Sequence, residues 1–326
     1  MKDRFGREIN YIRISVTDRC NLRCRYCMPA EGIQTAGRDQ VLDFDEIVRV
    51  ASLCGELGMT SVRLTGGEPL VRKDIALLVK RLKELPSVQR LTMTTNGLLF
   101  EKTAGSLSEA GLDGVNISLD TLDRDKYTQM TGTDGLFDVL KAAGKAWELG
   151  MKVKINTVMI DGFNDGEAAD MALMAADRNI DVRFIEMMPL GRGKLYTGPS
   201  CEKIMEILIR RLGTPERCFG DSGEDSGPAR YFRFPGMKGR IGFISAVSRS
   251  FCPECNKMRL TASGRLKPCL QYGDGKDLRE PLRTGAGDME IKELIKKAVL
   301  AKPQCHRFGE ADVDGAEKDL MAQIGG

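Results

Sequence analysis

The sequence predicts an α/β protein: an incomplete, TIM-like (β/α)6 barrel over residues 1–212, followed by a C-terminal region over 213–326. Three observations carry this. Six short strand-like runs alternate with amphipathic helical stretches between residue 10 and about residue 190, the pattern of parallel strands with helices outside. At least five of the runs carry polar residues on one face, where a closed, packed barrel would have nearly continuous apolar strands. The texture changes near residue 213, where GTPERCFGDSGEDSGPAR is rich in Gly, Ser, Pro and Asp.

The strand-like runs are YIRISVT, SVRLTG, QRLTMTT, GVNISLD, KVKINTV and DVRFIE. Alternation places Arg13, Ser15 and Thr17 on one face of the first, and Ser61, Arg63 and Thr65 on one face of the second. The next three give Thr92, Thr94, Asn96; Asn116, Ser118, Asp120; and Lys152, Lys154, Asn156. The opposite faces carry Ile12, Ile14, Val62, Leu64, Ile117, Val153 and Ile155, suited to helix packing. With helices outside, the polar faces are expected to line an interior cavity. The sixth run, DVRFIE, is ambiguous in phase. Between the first two runs, DFDEIVRVASLCGEL sets Phe44, Ile47, Val48, Ala51, Cys54 and Leu57 on one stripe behind an Asp43–Glu46 capping box. Past residue 212, the Gly/Ser-rich stretch reads as a linker or mobile loop. RYFRFPGMKGRIGFISAV then reads as a hairpin turned at Pro235-Gly236, and a helix is expected around Met289 to Leu300.

Lys and Arg number 49 against 46 Asp and Glu, so no global field favours nucleic acid or an anionic membrane, and an anionic ligand needs a local cluster. No stretch approaches the roughly 20 apolar residues of a membrane span, and MKDRFGREINY has no signal-like apolar core. A cytoplasmic protein is therefore expected. There, ten cysteines point to metal or redox chemistry rather than disulfides. The single histidine, His306, argues against Ser-His triads and multi-histidine metal sites.

DRCNLRCRYCMP places Cys20, Cys24 and Cys27 in C-x3-C-x2-C. A structural zinc wants four ligands, and no fourth Cys or His follows within a plausible knuckle. Three thiolates on a four-iron cube leave one iron open to a small molecule. RLTGGEP follows one β-α unit later, its Gly66-Gly67 pair permitting a tight turn and close backbone approach. A second trio, Cys252, Cys255 and Cys269, stands in C-x2-C-x13-C. On spacing alone a zinc ribbon completed by Cys305 stays open. Lys257 and Arg259 alternate inside this array and suit a polyanion, although a solvated pair is the commoner fate of K-x-R.

The first motif and RLTGGEP together resemble the radical S-adenosylmethionine superfamily. ISVTDRCNLRCRYCMP, RLTGGEP, TTNG, RFIE-x-M, GFISAVS with FC-x-x-CN, and a terminal Gly-Gly occur in order. As a set they resemble, over essentially the whole chain, the GTP 3′,8-cyclase family of molybdenum-cofactor biosynthesis. The resemblance implies two [4Fe–4S] clusters, each with three Cys ligands, at opposite barrel mouths, and usually a homodimer. It also implies a low-potential electron donor such as flavodoxin or ferredoxin. The chemistry implied is radical conversion of GTP to (8S)-3′,8-cyclo-7,8-dihydroguanosine 5′-triphosphate. Hydrogen is taken from ribose C3′ and the ring is closed at guanine C8. The product passes to cyclic pyranopterin monophosphate synthase.

Carried over residue by residue, Cys20, Cys24 and Cys27 hold the radical-generating cluster, and Tyr26, Gly67, Ser118 and Met188 contact S-adenosylmethionine. Cys252, Cys255 and Cys269 hold the second cluster, and Arg13, Arg63, Thr94, Lys154, Lys257, Met258 and Arg259 bind GTP. Lys257 departs from the family's usual Arg, keeping the charge but losing the planar fork. The resemblance carries Gly325-Gly326 into the active site, and Arg13 is a candidate to help deliver the quenching proton. Cys54 is expected in the core and Cys201 on a packing face, Trp147 in core or surface packing; Cys218 and Cys305 receive no role. The alternatives are another radical enzyme with an auxiliary cluster, such as a peptide-maturing one, an iron–sulfur electron carrier, and a zinc interaction protein.

Overall fold

The computed structural model describes residues 1–219, 228–308, 310, 313 and 315–325. The expectation for Gly326 and for most of the Gly/Ser-rich stretch therefore lies outside the described residues.

The barrel strands are β1 (Tyr11–Ser15), β2 (Ser61–Thr65), β3 (Arg90–Thr95), β4 (Gly114–Ser118), β5 (Lys152–Val158) and β6 (Asp181–Ile185). They pair in that order, all parallel. Helices α1 (Phe44–Glu56), α2 (Ile75–Lys83), α3 (Phe100–Glu109), α4 (Arg124–Thr131), α5 (Leu136–Glu148) and α6 (Ala168–Leu173) form the connections. α7 (Cys201–Leu212) follows β6. The C-terminal region extends both sheet edges. β7 (Glu216–Cys218), β8 (Arg230–Arg233) and β9 (Ile241–Ile244) add beyond β6, with β9 parallel to it. β10 (Lys257–Leu260), β11 (Arg265–Lys267) and β12 (Lys276–Asp277) add beyond β1, with β10 parallel to β1. The result is one open sheet in the order β12-β11-β10-β1-β2-β3-β4-β5-β6-β9-β8-β7. α8 (Arg279–Arg283), α9 (Asp288–Leu300) and the short α10 (Met321–Ile324) complete the chain.

The apolar strand faces pack outward against the helices. Ile12, Ile14, Val62, Leu64, Leu91, Met93, Ile117, Val153, Ile155, Val182 and Phe184 are all at most 1 % exposed in one core, each contributing roughly 1.5–3 kcal/mol of burial. The α1 capping box forms as expected: Asp43 Oδ1 accepts from Glu46 N at 2.8 Å, and Glu46 Oε2 accepts from Asp43 N at 2.7 Å. The buried face of α1 is wider than the expected stripe. Val50 and Leu53 are buried, while Phe44, Val48 and Leu57 are only partly so. Cys54 and Cys201 lie in the core.

Two expectations need correction. Glu216–Cys218 is a strand rather than loop, held as an edge by three register pairs to β8. The hairpin between β8 and β9 turns across residues 234–240 rather than at two residues, with Gly236 at φ 76° inside it. Trp147 packs at the surface: it is 40 % exposed and lies under the Arg178 guanidinium, 5.1 Å from the ring centroid.

Candidate active site: two cysteine triads joined by a basic cavity

Two cavities, of about 280 and about 250 Å³, run through the barrel and share Arg13, Asn156, Ile185, Met188, Arg259 and Leu270 as walls. Cys20, Cys24 and Cys27 line the smaller; Cys252, Cys255 and Cys269 line the larger. The triads attach at opposite strand ends. The first follows the C-terminal end of β1, whereas Cys252 and Cys255 precede β10 and Cys269 follows β11, which runs antiparallel to β10.

The first triad sits in a loop folded tightly against the turn after β2. Gly67 N donates to Thr17 O and Glu68 N to Arg19 O, both at 2.8 Å. A Cβ on Gly66 would lie 2.5 Å from Thr17 O, and one on Gly67 2.4 Å from Arg19 O. The glycine pair is therefore demanded by backbone against backbone, in addition to lining the cavity. Glu68 is turned away into the protein. Its carboxyl accepts from Leu70 N, Thr95 Oγ1 and Asn96 N at 2.7–3.0 Å, and burial pushes it up to about 7. It braces the end of β3, from which Asn96 Nδ2 reaches Asn21 Oδ1 at 2.8 Å and Cys20 Sγ at 3.9 Å.

Tyr26, Gly67, Ser118 and Met188 all line this cavity. Tyr26 donates to Asp120 Oδ2 at 2.7 Å, and Asp120 Oδ1 accepts from Val158 N at 2.8 Å. Burial raises the Asp120 carboxyl to about 6. Thr94 faces this cavity rather than the larger one, and its buried Oγ1 has no partner.

The larger cavity is strongly basic. Among its described lining residues are nine Lys or Arg and no Asp or Glu, so any occupant must itself supply negative charge. The parallel register sets Arg63, Arg13 and Arg259 directly side by side on β2, β1 and β10, about 4.8 Å apart per strand. Like charges in such a row repel. Burial, then Arg259 and Arg183 nearby, lowers Arg13 to about 9. Burial chiefly lowers Arg63 to about 10, and Lys257 to about 7 with neighbouring cations adding to it. Arg13 Nε is buried without a partner. Lys154 reaches Tyr231 OH at 3.3 Å and Asp181 at 3.9 Å.

Two residues depart from the sequence-based expectation. Met258 does not face the cavity: alternation along β10 turns its side chain, 0 % exposed, into the core between Lys257 and Arg259. Arg183, absent from the expected set, does line it, donating to Asn156 Oδ1 at 2.9 Å and Asn116 Oδ1 at 2.5 Å. The phase of DVRFIE is thereby settled: Val182 and Phe184 pack outward, Arg183 inward.

Around the second triad, His306 N donates to Cys252 Sγ at 3.2 Å. Burial alone would push the Cys252 thiol up, but His306 and Ser250 outweigh it and hold it near 7. Cys305 is exposed and outside the cavity lining, so it does not complete a zinc ribbon there. Cysteine thiolates are the ligands that iron–sulfur clusters use, so each cavity-lining trio could hold one. The C-terminal tail enters between the cavities. Met321 and Ala322 line the smaller one, Gly325 O accepts from Arg259 Nη1 at 2.8 Å, and Gly325 packs on Ser15 and Thr65 at φ 80°.

The radical SAM superfamily model matches residues 14–175, and a Molybdenum Cofactor Synthesis C model matches residues 180–308. The chain is 44% identical over 326 residues to the GTP 3′,8-cyclase of Clostridium perfringens strain 13, covering 100% of both. The chain belongs to the GTP 3′,8-cyclase family. Another family member, that of Petrotoga mobilis, is 41% identical over 334 residues, again with 100% of each chain covered. Among solved structures, Streptococcus suis SuiB bound to S-adenosylmethionine superposes with TM-score 0.59 at 18% identity, over 87% of this chain and 68% of that one. SuiB bound to its precursor peptide SuiA gives TM-score 0.61 at 17% identity, over 91% and 71%. At that identity the likeness is one of fold alone.

Proposed function

We infer that this protein converts GTP to (8S)-3′,8-cyclo-7,8-dihydroguanosine 5′-triphosphate, the first step of molybdenum-cofactor biosynthesis. The observation that carries this reading is the row Arg63–Arg13–Arg259 in a cavity that has no carboxylate among its described lining residues, is lined by the second cysteine triad, and shares walls with the cavity lined by the first. A triphosphate supplies the missing negative charge in one compact group; a neutral or basic peptide does not.

In this reading Cys20, Cys24 and Cys27 hold one [4Fe–4S] cluster, and Cys252, Cys255 and Cys269 hold the other. A cluster held by the first triad would supply the low-potential electron needed for reductive cleavage of S-adenosylmethionine. The chain's own work is placement. Tyr26, Gly67, Ser118 and Met188 shape the cosubstrate pocket, with Tyr26 fixed by Asp120. Arg13, Arg63, Lys154, Arg183, Lys257 and Arg259 grip the nucleotide, and Thr94 offers its free hydroxyl at the junction with the cosubstrate. The walls and the C-terminal tail exclude water, so ribose C3′ is held beside the radical rather than exposed to quenching. Arg13 borders both cavities and is placed to deliver a proton after ring closure. The reading also implies a homodimer, a low-potential donor such as flavodoxin or ferredoxin, and transfer of product to cyclic pyranopterin monophosphate synthase.

The test is anaerobic reconstitution with iron and sulfide, then incubation with GTP, S-adenosylmethionine and dithionite. Mass analysis is expected to find 5′-deoxyadenosine and a cyclised nucleotide in equal amounts. Formation of 5′-deoxyadenosine with GTP left intact would defeat the substrate assignment.

A further inference from the structure

Two buried cations grip the backbone around the second triad, and they differ in one respect. Arg7 is 8 % exposed and donates to Cys252 O at 2.8 Å, Gln304 O at 3.0 Å and Pro303 O at 2.6 Å. Its charge is cancelled by Asp3, 2.6 Å away and itself buried. Lys302, just past α9, is 3 % exposed. Its ammonium donates to Lys257 O at 2.7 Å and to Pro268 O at 2.6 Å. Those carbonyls lie two residues after Cys255 and one before Cys269, and Lys302 lines the same cavity as both thiols. No carboxylate among the described residues pairs with it.

An ammonium withdrawn from water costs several kcal/mol unless an opposite charge is near. Two neutral carbonyls satisfy its hydrogen bonds but leave the charge unbalanced. No Asp or Glu is among the described residues lining the cavity with it, whereas the thiols of Cys252, Cys255 and Cys269, which can carry negative charge, are. We propose that Lys302 is the built-in counter-cation of an iron–sulfur cluster held by Cys252, Cys255 and Cys269, and that its charge sets that cluster's reduction potential. The proposal rests on the reading that the second triad holds a cluster. A cation fixed beside such a cluster stabilises its reduced, more negative state and raises its potential. Arg7, neutralised by Asp3, holds the segment in place without that effect.

The experiment uses the full chain with Cys20, Cys24 and Cys27 all replaced by Ala, so that only the second cluster remains. Lys302→Gln and Lys302→Arg are then made in that background. Iron and sulfide are counted, and the cluster is titrated potentiometrically under electron paramagnetic resonance without nucleotide. Lys302→Gln is expected to lower the potential by about tenfold in the reduction equilibrium, ~59 mV for one electron, with Lys302→Arg close to the parent. Failure of Lys302→Gln to assemble a cluster that Lys302→Arg assembles would support the proposal equally. Identical potentials in all three proteins would overturn it, including the case where Lys302→Gln only weakens GTP binding. So would failure of both variants to assemble, which would assign Lys302 a shape-dependent role. A background protein free of iron would instead defeat the second-cluster reading itself.

Discussion

Arg259 donates from Nη1 to the carbonyl oxygen of Gly325 at 2.8 Å, tying the end of the chain to the arginine row inside the barrel. Arg259 belongs to the set proposed to grip GTP, so the tail and the substrate meet at one guanidinium. Removing Gly325 and Gly326 is expected to leave the fold intact, since neither contributes a packed side chain. Turnover should fall by about 100-fold or more through misplacement of reacting groups. Circular dichroism and product mass analysis on one preparation separate the two; a truncated protein at full activity would remove the tail from the site.

Arg13 stands between two other arginines and borders both cavities. Arg13→Ala is expected to weaken GTP binding by about 2–5 kcal/mol, the cost of deleting one side of a buried charged contact. Calorimetry under anaerobic conditions measures it. Unchanged affinity would place the triphosphate elsewhere.

Lys257 offers a point charge where a planar fork could make two parallel hydrogen bonds. Lys257→Arg is therefore expected to tighten GTP binding by about 1 kcal/mol, roughly fivefold. Weaker binding in this variant would show that the cavity is shaped around the shorter ammonium.

Substituting Cys252, Cys255 and Cys269 together by Ala is expected to lower reconstituted iron from about eight to about four atoms per chain. The first cluster should remain responsive to S-adenosylmethionine in its paramagnetic resonance spectrum. Zinc in place of iron in the parent protein would contradict both clusters at once.

Glu186 supplies a pH prediction that needs no cluster. Burial would push its carboxyl up, but Ser248 Oγ at 2.5 Å and the backbone N–H groups of Ser248, Cys201 and Val247 at 2.8–3.1 Å outweigh that and hold it below the ordinary glutamate range. The folded state therefore favours the ionised form. Its stabilisation is full above the ordinary value and is lost as pH falls through the depressed one. Glu186→Gln should destabilise the protein by roughly 1.5–3 kcal/mol near neutrality and by progressively less in acid. Parallel melting curves for parent and variant from neutrality into acid would argue against this.

The polar strand faces were legible because a strand's period of two separates core from cavity without knowledge of the partners. That is why Arg13, Arg63, Lys154 and Arg259 could be placed from sequence, and why alternation excludes Met258 once β10 is a strand. Arg183 was hidden by a run too short to show its phase. The strand Glu216–Cys218 was hidden by flanking turn-forming residues, since its pairing depends on β8, a partner that local composition does not reveal. Glu68, Asn96 and Asp120 act through contacts with residues far away in sequence, such as Thr95, Cys20 and Tyr26. Spacing exposes the cysteines themselves, but nothing local marks the groups that steady them.

The pairing of β1 with β10, Tyr11 opposite Lys257, has a consequence for how the molecule is made. The opening strand of the barrel keeps a bare hydrogen-bonding edge until roughly four fifths of the chain has left the ribosome. Its neighbour on that side is far away in sequence, Tyr11 pairing with Lys257, so that closure depends on a contact of very long range and is expected to be slow. Until then the arginines of the first two strands lack their third companion, and metal delivered early would meet a half-built vessel.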